Sequence, residues 1–235
     1  LLSFDNIKIS FDLYIIDNSS DTKLEELFIG KDNFYYLHSE YNKGFAKAHN
    51  QVLQKIKDNY EFHLIINPDV FFEEDVLSPI VEFLDQHDDV VQIIPKILNE
   101  DKSIQFTYKY EPRPFDLLAR RFFPKKWFNT RMETLSQKST LNGEVSEIPI
   151  MSGCFMFFRT RVLDEIGFLD ERFFLYMEDI DFSKRISEKH KSVYFPDVSI
   201  FHKHTQGSYN DRSLMRKHMA SAIKYYNKHG WYPLW

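Results

Sequence analysis

Three times before residue 87 the chain runs from a short apolar segment through a polar cluster into a helical pattern, and this repetition restricts its folds more than any other feature. Phe11 to Ile16 reads as a buried strand that stops at Asp17-Asn18-Ser19-Ser20-Asp21, with a short helical pattern from Thr22 to Phe28. Phe34 to Leu37 is a second strand and Asn42-Lys43-Gly44 a turn. The helix that follows, Phe45 to Ile56, carries Phe45, Ala48, Val52 and Ile56 on one face. Phe62 to Ile66 is a third strand, closed by Asn67-Pro68-Asp69, and Glu74 to Gln86 is again helical. Strand then helix, repeated, predicts an α/β chain with a mostly parallel central sheet flanked by helices. In such sheets ligands gather beyond the carboxyl ends of the strands.

The second half is less regular. Val90 to Ile94 is a strand, and Ser103 to Arg131 is an irregular stretch rich in proline, basic and aromatic residues, read as a functional excursion. Ile148 to Arg159 is nearly all apolar, Thr160 to Ile166 is a short helix, and Glu178 to His190 is a helix opened by acids and closed by bases. Val193 to Phe195 is a strand. Asp211 to His229 is the final helix, stopped by Gly230, with apolar Leu214, Met215, Met219, Ile223 and Tyr226. A chain of 235 residues, 43% hydrophobic, can bury one sizeable core, and its 23 Phe and 13 Tyr predict packing through large rings. We read a single domain, with a nucleotide-binding half over about 1–100 and an acceptor and catalytic half over about 101–235.

Net charge is -5, which gives no global attraction to nucleic acid and requires a local site for any anionic ligand. The one cysteine, Cys154, rules out an internal disulfide and a cysteine-rich zinc site, and points to a reducing compartment, the cytoplasm. No apolar run approaches the roughly 20 residues that span a bilayer. The chain opens Leu1-Leu2-Ser3 without methionine, which is expected either of a fragment whose native start lies upstream or of a sheet that lacks its first strand.

Candidate chemistry sits where carboxylates fall. Asp17 and Asp69 each follow a predicted strand and could share one crevice, one holding a base or ribose and the other a divalent cation. On spacing alone, turn and cap formation accounts for the same residues better than a ligand site does, since Asp and Asn dominate turns. Glu178, Asp179 and Asp181 open a helix directly after the aromatic run Phe173 to Met177, and a helix N-terminus favours the ionised carboxylate that a general base requires. Glu178 and Asp181 share a face while Asp179 looks elsewhere, and Asp181 can pair with Arg185 one turn on, which makes Asp181 the structural acid. His202 and His204 alternate after a strand and are either metal ligands or ordinary surface histidines. The chain has no P-loop, no glycine-rich dinucleotide fingerprint and no Gly-x-Ser-x-Gly elbow.

Taken in order, seven segments resemble the family 2 glycosyltransferases with a GT-A fold, the nucleotide-diphospho-sugar transferase fold, and in particular the rhamnosyltransferase-like branch. They are Tyr14 to Asp21, Asn42 to Asn50, Ile66 to Val70, Met151 to Cys154, Gly167 to Asp170, Phe173 to Asp181, and Val198 to His202. The resemblance implies that Asp17 binds the nucleobase and that the stretch containing Asn42, Gly44, Phe45 and Asn50 lines the donor pocket. It makes Asp69 the acid ending a metal-binding motif whose first position is here Asn67. It assigns His202 to complete the coordination of Mg²⁺ or Mn²⁺, and Asp179 as the base, with Glu178 and Asp181 supporting it. The implied enzyme is an inverting, metal-dependent hexosyltransferase of bacterial cell-surface polysaccharide synthesis, moving a sugar such as rhamnose from a dTDP or UDP donor to a saccharide or lipid-linked acceptor. Relatives begin with a further strand, and this chain starts after it.

Arg120 to Phe128 interleaves cations with large rings, which suits peripheral contact with an anionic lipid surface through 120–131 at the inner membrane face; a solvated loop folding its rings inward fits as well. No nucleic-acid partner is expected. The rival readings are a sugar-nucleotide-binding module with little or no turnover, and a nucleotidyltransferase or Rossmann-like enzyme, which would need the glycine-rich phosphate loop absent here.

Overall fold

The computed structural model describes residues 2–19, 23–28, 30, 32–105, 111, 113–114, 143–203 and 212–231. His204 and the 120–131 segment lie outside the described residues. A 3-10 turn, Leu2–Asn6, leads to β1 (Leu13–Asp17), a second turn Glu25–Phe28, and β2 (Phe34–His38). Helix α1 (Phe45–Ile56) and a short turn Lys57–Asn59 precede β3 (Phe62–Ile66) and β4 (Val70–Phe71). Then come α2 (Leu77–Gln86), β5 (Val90–Leu98), β6 (Ser146–Glu147), β7 (Phe155–Arg159), α3 (Val162–Ile166), α4 (Glu178–Ser187), β8 (Lys191–His202) and α5 (Arg212–His229).

The molecule is α/β, with a mixed sheet rather than the mostly parallel one expected. Six strands run β3-β7-β5-β8-β4, with β6 also on β8, and of these pairs β5–β8 alone is parallel. β1 and β2 form a separate parallel pair. The apolar content of β7 could not reveal its direction, because a strand buried on both faces reads the same either way. All five residues of β7 are buried, and Phe155 and Phe158 are fully enclosed. Each enclosed ring contributes about 1.5–3 kcal/mol.

Two apolar layers cover the sheet. On one side α2 packs Leu77, Ile80 and Leu84 against Ile93, Ile97 and Phe157. On the other, Ala46 and Leu53 of α1 join Val162, Leu163, Phe182 and Ile186 of α3 and α4 around Phe158. The expected apolar face of α1 is partly right: Ala48 and Val52 are buried, together with Ala46 and Leu53. A third cluster seats Phe173, Met177 and Ile180 against Ala222, Tyr225 and Tyr226 of α5. Gly230, at φ 101°, ends α5 by donating its N–H to Tyr226 O at 2.8 Å. Among the described residues no helix is long and apolar enough to cross a membrane.

Candidate active site

The turn after β3 is held from two directions. Asn67 N–H donates to Cys154 O at 3.0 Å, just before β7, and Val70 N–H donates to Asn67 O at 3.2 Å. β4 then pairs with the end of β8, Val70 opposite His202, and Lys203 N–H donates to Asp69 O at 3.0 Å. This register sets the Asp69 carboxylate beside the His202 imidazole, with Oδ1 and Nε2 3.4 Å apart. His202 is only 7% exposed, and its Nδ1 lies 2.7 Å from Gln105 Oε1. Asp69 Oδ1 is buried and accepts no hydrogen bond. A buried carboxylate oxygen left without a donor, facing a ring nitrogen across this gap, fits a divalent cation: adjacent ligands about 2.1 Å from one ion have such spacings. Among the described residues no cluster of three His, Cys, Asp or Glu forms around this pair or elsewhere.

The turn that anchors Asn67 also holds the acids of α4. Gly153 N–H donates to Asp179 Oδ2 at 2.8 Å, and Ile180 N–H donates to Oδ1 at 2.9 Å. One residue further, Cys154 O receives Asn67. The Ser152–Cys154 turn therefore touches both Asp179 and the segment that carries Asp69. A Cβ on Gly153 would lie 3.0 Å from Asp179 Cβ and 3.1 Å from Oδ2, so a side chain here would require the carboxylate to give by a few tenths of an ångström. Cys154 itself is packing: burial pushes its thiol up to about 12.

The three acids have different states. Burial, then the charge of Asp179, pushes Glu178 up to about 8, and its Oε2 is buried without a partner. Burial also raises Asp179, opposed by the N–H groups of Gly153 and Ile180. The helix N-terminus thus does not outweigh burial, contrary to the sequence expectation of freely ionised acids. Backbone N–H groups oppose burial at both acids, and the charge of Asp179 helps to keep the proton on Glu178. Asp181 is fully buried and faces away from this turn. Its Oδ2 accepts from Arg185 Nε at 2.8 Å, and its Oδ1 accepts from Lys228 Nζ at 2.5 Å and His229 Nε2 at 2.7 Å. It ties α4 to the end of α5.

The donor-side candidates are spread more widely. Asp17 ends β1, on the separate two-stranded sheet, whereas Asp69 precedes β4 of the six-stranded one. Its Oδ1 accepts from Ser19 N–H at 2.8 Å and its Oδ2 from Tyr36 Oη at 2.6 Å. Burial opposes ionisation, but these hydrogen bonds outweigh it and hold the carboxyl below the usual range. Asn42 Oδ1 accepts from Gly44 N–H at 2.9 Å and shapes the turn into α1. Phe45 N–H donates to Phe174 O at 2.9 Å, which joins this turn to the segment leading into α4. Asn50 is used inside the fold: its amide donates to Leu169 O at 2.8 Å and Glu171 Oε1 at 3.0 Å, and accepts from Leu169 N–H at 3.2 Å. Both amide hydrogens are therefore engaged within the fold.

Four contributors were not picked out from sequence. Gly153 lies in the Met151 to Cys154 segment, where the resemblance gives it no role. Lys228 and His229 close α5 with the usual basic last turn, which gives no hint that they reach Asp181. Gln105 sits in a stretch with no periodicity, and no sequence signal marks it.

This architecture is that of a GT-A glycosyltransferase. Residues 5–167 match Glycosyl transferase family 2, and the chain belongs to that family. It is 24% identical over 186 residues to the low-salt glycan biosynthesis hexosyltransferase Agl10 of Haloferax volcanii, covering 76% of this chain and 54% of that protein. It is 25% identical over 181 residues to the N-acetylglucosaminyl-diphospho-decaprenol L-rhamnosyltransferase of Mycobacterium tuberculosis, covering 72% and 56%. Rhamnosyltransferase WbbL of Escherichia coli is 22% identical over 191 residues, covering 77% and 69%. The chain thus spans little more than half the length of the first two relatives. Among solved structures, GalNAc-T7 with UDP, GalNAc and Mn²⁺ superposes with a TM-score of 0.64 at 13% identity, over 96% of this chain and 44% of that one. Staphylococcus aureus TarS superposes at 0.60 and 16% identity, over 96% and 36%. At these identities the superpositions speak for the fold.

Proposed function

We propose that the chain is an inverting glycosyltransferase that moves a sugar of the rhamnose type from a UDP or dTDP donor to a saccharide or lipid-linked saccharide acceptor, in cell-surface polysaccharide synthesis at the cytoplasmic face. The observation that carries this reading is the Ser152–Cys154 turn, which places Asp179 next to the segment holding Asp69 and His202. The rhamnosyltransferase names of two relatives support the sugar, and the diphospho-decaprenol in one of them supports a lipid-linked acceptor.

In this reading Asp179 takes the proton of an acceptor hydroxyl while that oxygen attacks the anomeric carbon from the face opposite the diphosphate. The carbon–oxygen bond to the diphosphate breaks and its electron pair leaves with the nucleotide, so the configuration inverts. A cation, when bound, supplies positive charge to the departing diphosphate. Asp69 and His202 would hold it. The mixed oxygen and nitrogen donor set suits Mn²⁺ better than Mg²⁺. Gly153 and Ile180 N–H orient the base, and Glu178, protonated beside it, adds no competing charge.

The test is Asp179→Asn, assayed by transfer or by slow donor hydrolysis, with UDP and dTDP binding measured with and without Mn²⁺. Turnover should fall by roughly 10²-fold or more with metal-dependent nucleotide binding intact. Near-normal turnover in Asp179→Asn, or nucleotide binding indifferent to chelator, would overturn the assignment of the base or of the cation site respectively. A wild-type chain that binds the nucleotide but never turns over would be a binding module instead.

A further inference from the structure

His202 does not stand alone at the end of β8. Beyond β5 the chain turns back at Asn99 to Ser103, with Lys102 at φ 65°, and is closed by Asn99 N–H to Ser103 O at 2.8 Å and Lys102 N–H to Asn99 O at 2.9 Å. Gln105 N–H then donates to Ile97 O at 2.8 Å, which lays Gln105 alongside β5 and against the end of β8.

The side chains of this turn form a chain of hydrogen bonds with one direction. Ser103 Oγ donates to Asp101 Oδ1 at 2.5 Å, because a carboxylate can only accept. Ser103 Oγ therefore accepts from Asn99 Nδ2 at 2.8 Å, which turns Asn99 Oδ1 outward to accept from Gln105 Nε2 at 3.1 Å. Gln105 Nε2 also faces the His202 carbonyl at 3.5 Å, so two acceptors demand the nitrogen on that side. The amide oxygen is left facing His202 Nδ1 at 2.7 Å and can only accept. Ser103 hydroxyl and N–H hold the Asp101 carboxyl below the usual range, which keeps the anchor of the chain an acceptor.

We infer that Gln105, oriented by Asn99, Ser103 and Asp101, is a positioning residue that fixes the neutral His202 ring with its proton on Nδ1 and its Nε2 lone pair toward Asp69. The inference rests on the reading of Asp69 and His202 as the cation site. Without the chain, the ring proton could sit on Nε2 and point at Asp69, which would convert a metal ligand into a hydrogen-bond donor. Partners of this kind behind ligating histidines set tautomer and ring angle, and their loss weakens metal binding by about 10–100-fold.

The experiment reads the two parts separately. ¹⁵N NMR of the imidazoles in metal-free protein, at alkaline pH and with the His202 signal assigned from His202→Gln, reports the tautomer with no metal present. Mn²⁺ binding with UDP, followed by water-proton relaxation, reports the site. Wild type should show the Nδ1–H tautomer. Gln105→Leu should shift His202 toward Nε2–H and weaken Mn²⁺ by about 10-fold or more, whereas Gln105→Glu, which still offers an acceptor to Nδ1, should keep the wild-type tautomer and most of the affinity. An Nε2–H tautomer in wild type, or Gln105→Leu with tautomer and affinity unchanged, overturns the inference while the cation site stands. The expected tautomers together with Mn²⁺ binding that is insensitive to Asp69→Asn and His202→Gln would overturn the cation reading, and the inference with it.

Discussion

Asp181→Asn separates the structural acid of α4 from Asp179, the proposed base. A lone surface pair with Arg185 one turn on would stabilise by a few tenths of a kcal/mol. The structure makes the expected loss much larger. Asp181 is completely buried and receives Arg185, Lys228 and His229, so an asparagine must present its NH₂ to one set of donors whichever way the amide turns. Breaking a buried ion pair from one side costs about 3–5 kcal/mol. Part of that is recovered here, because Arg185 keeps the carbonyls of Ile166 and Phe168, and Lys228 keeps Asp170 at 2.8 Å. We expect a loss of about 2–4 kcal/mol, the remainder after those retained partners. For a domain of this size that corresponds to a fall in Tm of roughly 5–15 °C. Urea and thermal denaturation read the loss, and Lys228→Met in the Asp181→Asn background should return part of it by removing a stranded cation. Nucleotide binding and turnover, measured well below the transition, should stay close to wild type. Wild-type stability with turnover abolished would refute the reasoning and move Asp181 into the catalytic machinery.

Glu178 gives a pH-dependent test. Its folded value of about 8 lies above the ordinary 4.5, so the folded chain holds a proton that the unfolded chain has lost between those values. Its contribution to stability is therefore complete below about pH 4.5 and is lost as pH rises through about 8. Glu178→Gln keeps the neutral form at every pH and should flatten that decline in urea midpoints; an unchanged slope would show that Glu178 is not the group responsible. Gly153→Ala tests the support of the base, since the new methyl would sit 3.0 Å from Asp179 Cβ and push the carboxylate aside. Turnover should drop by roughly 10-fold or more, with nucleotide binding retained; an unaffected rate would mean that the position of Asp179 does not matter to the chemistry.

What could be read from sequence was set by range. The strand-to-helix repeats, the turns after β1 and β3, and the acids opening α4 are local patterns, and they fall where expected. Strand direction is a long-range property: β7 and β5 are equally apolar whichever way they run, so the antiparallel pairs were invisible. The same limit applies to charge. The pairing of Asp181 with Arg185 lies within one turn and was legible, while Lys228 and His229 arrive from 47 and 48 residues away. The partners of Asn50, Leu169 and Glu171, are likewise more than 100 residues distant and leave no local signal. The state of Glu178 could not be read from a helix-terminus argument, because burial among neighbouring elements decides it.

The position of the proposed base is also tied to the start of α1. Tyr176 and Met177 both take left-handed backbone conformations, φ 66° and 73°, immediately before α4. Each such residue costs on the order of 1–2 kcal/mol without glycine. The strain persists because the segment is pinned on both sides. Phe173 and Met177 are buried in the α5 cluster, while the carbonyl of Phe174 accepts from Phe45 N–H and so satisfies the first turn of α1. Gly44 permits that approach: a Cβ there would lie 2.5 Å from Phe174 O, on a backbone already at φ 82°. The Asn42–Phe45 turn cannot shift without taking Phe174 with it, and only Leu175, Tyr176 and Met177 separate Phe174 from the helix that carries Asp179. The segment resembling a donor loop and the segment carrying Asp179 are therefore one mechanical unit, joined by a backbone hydrogen bond that side-chain patterns in the sequence do not encode.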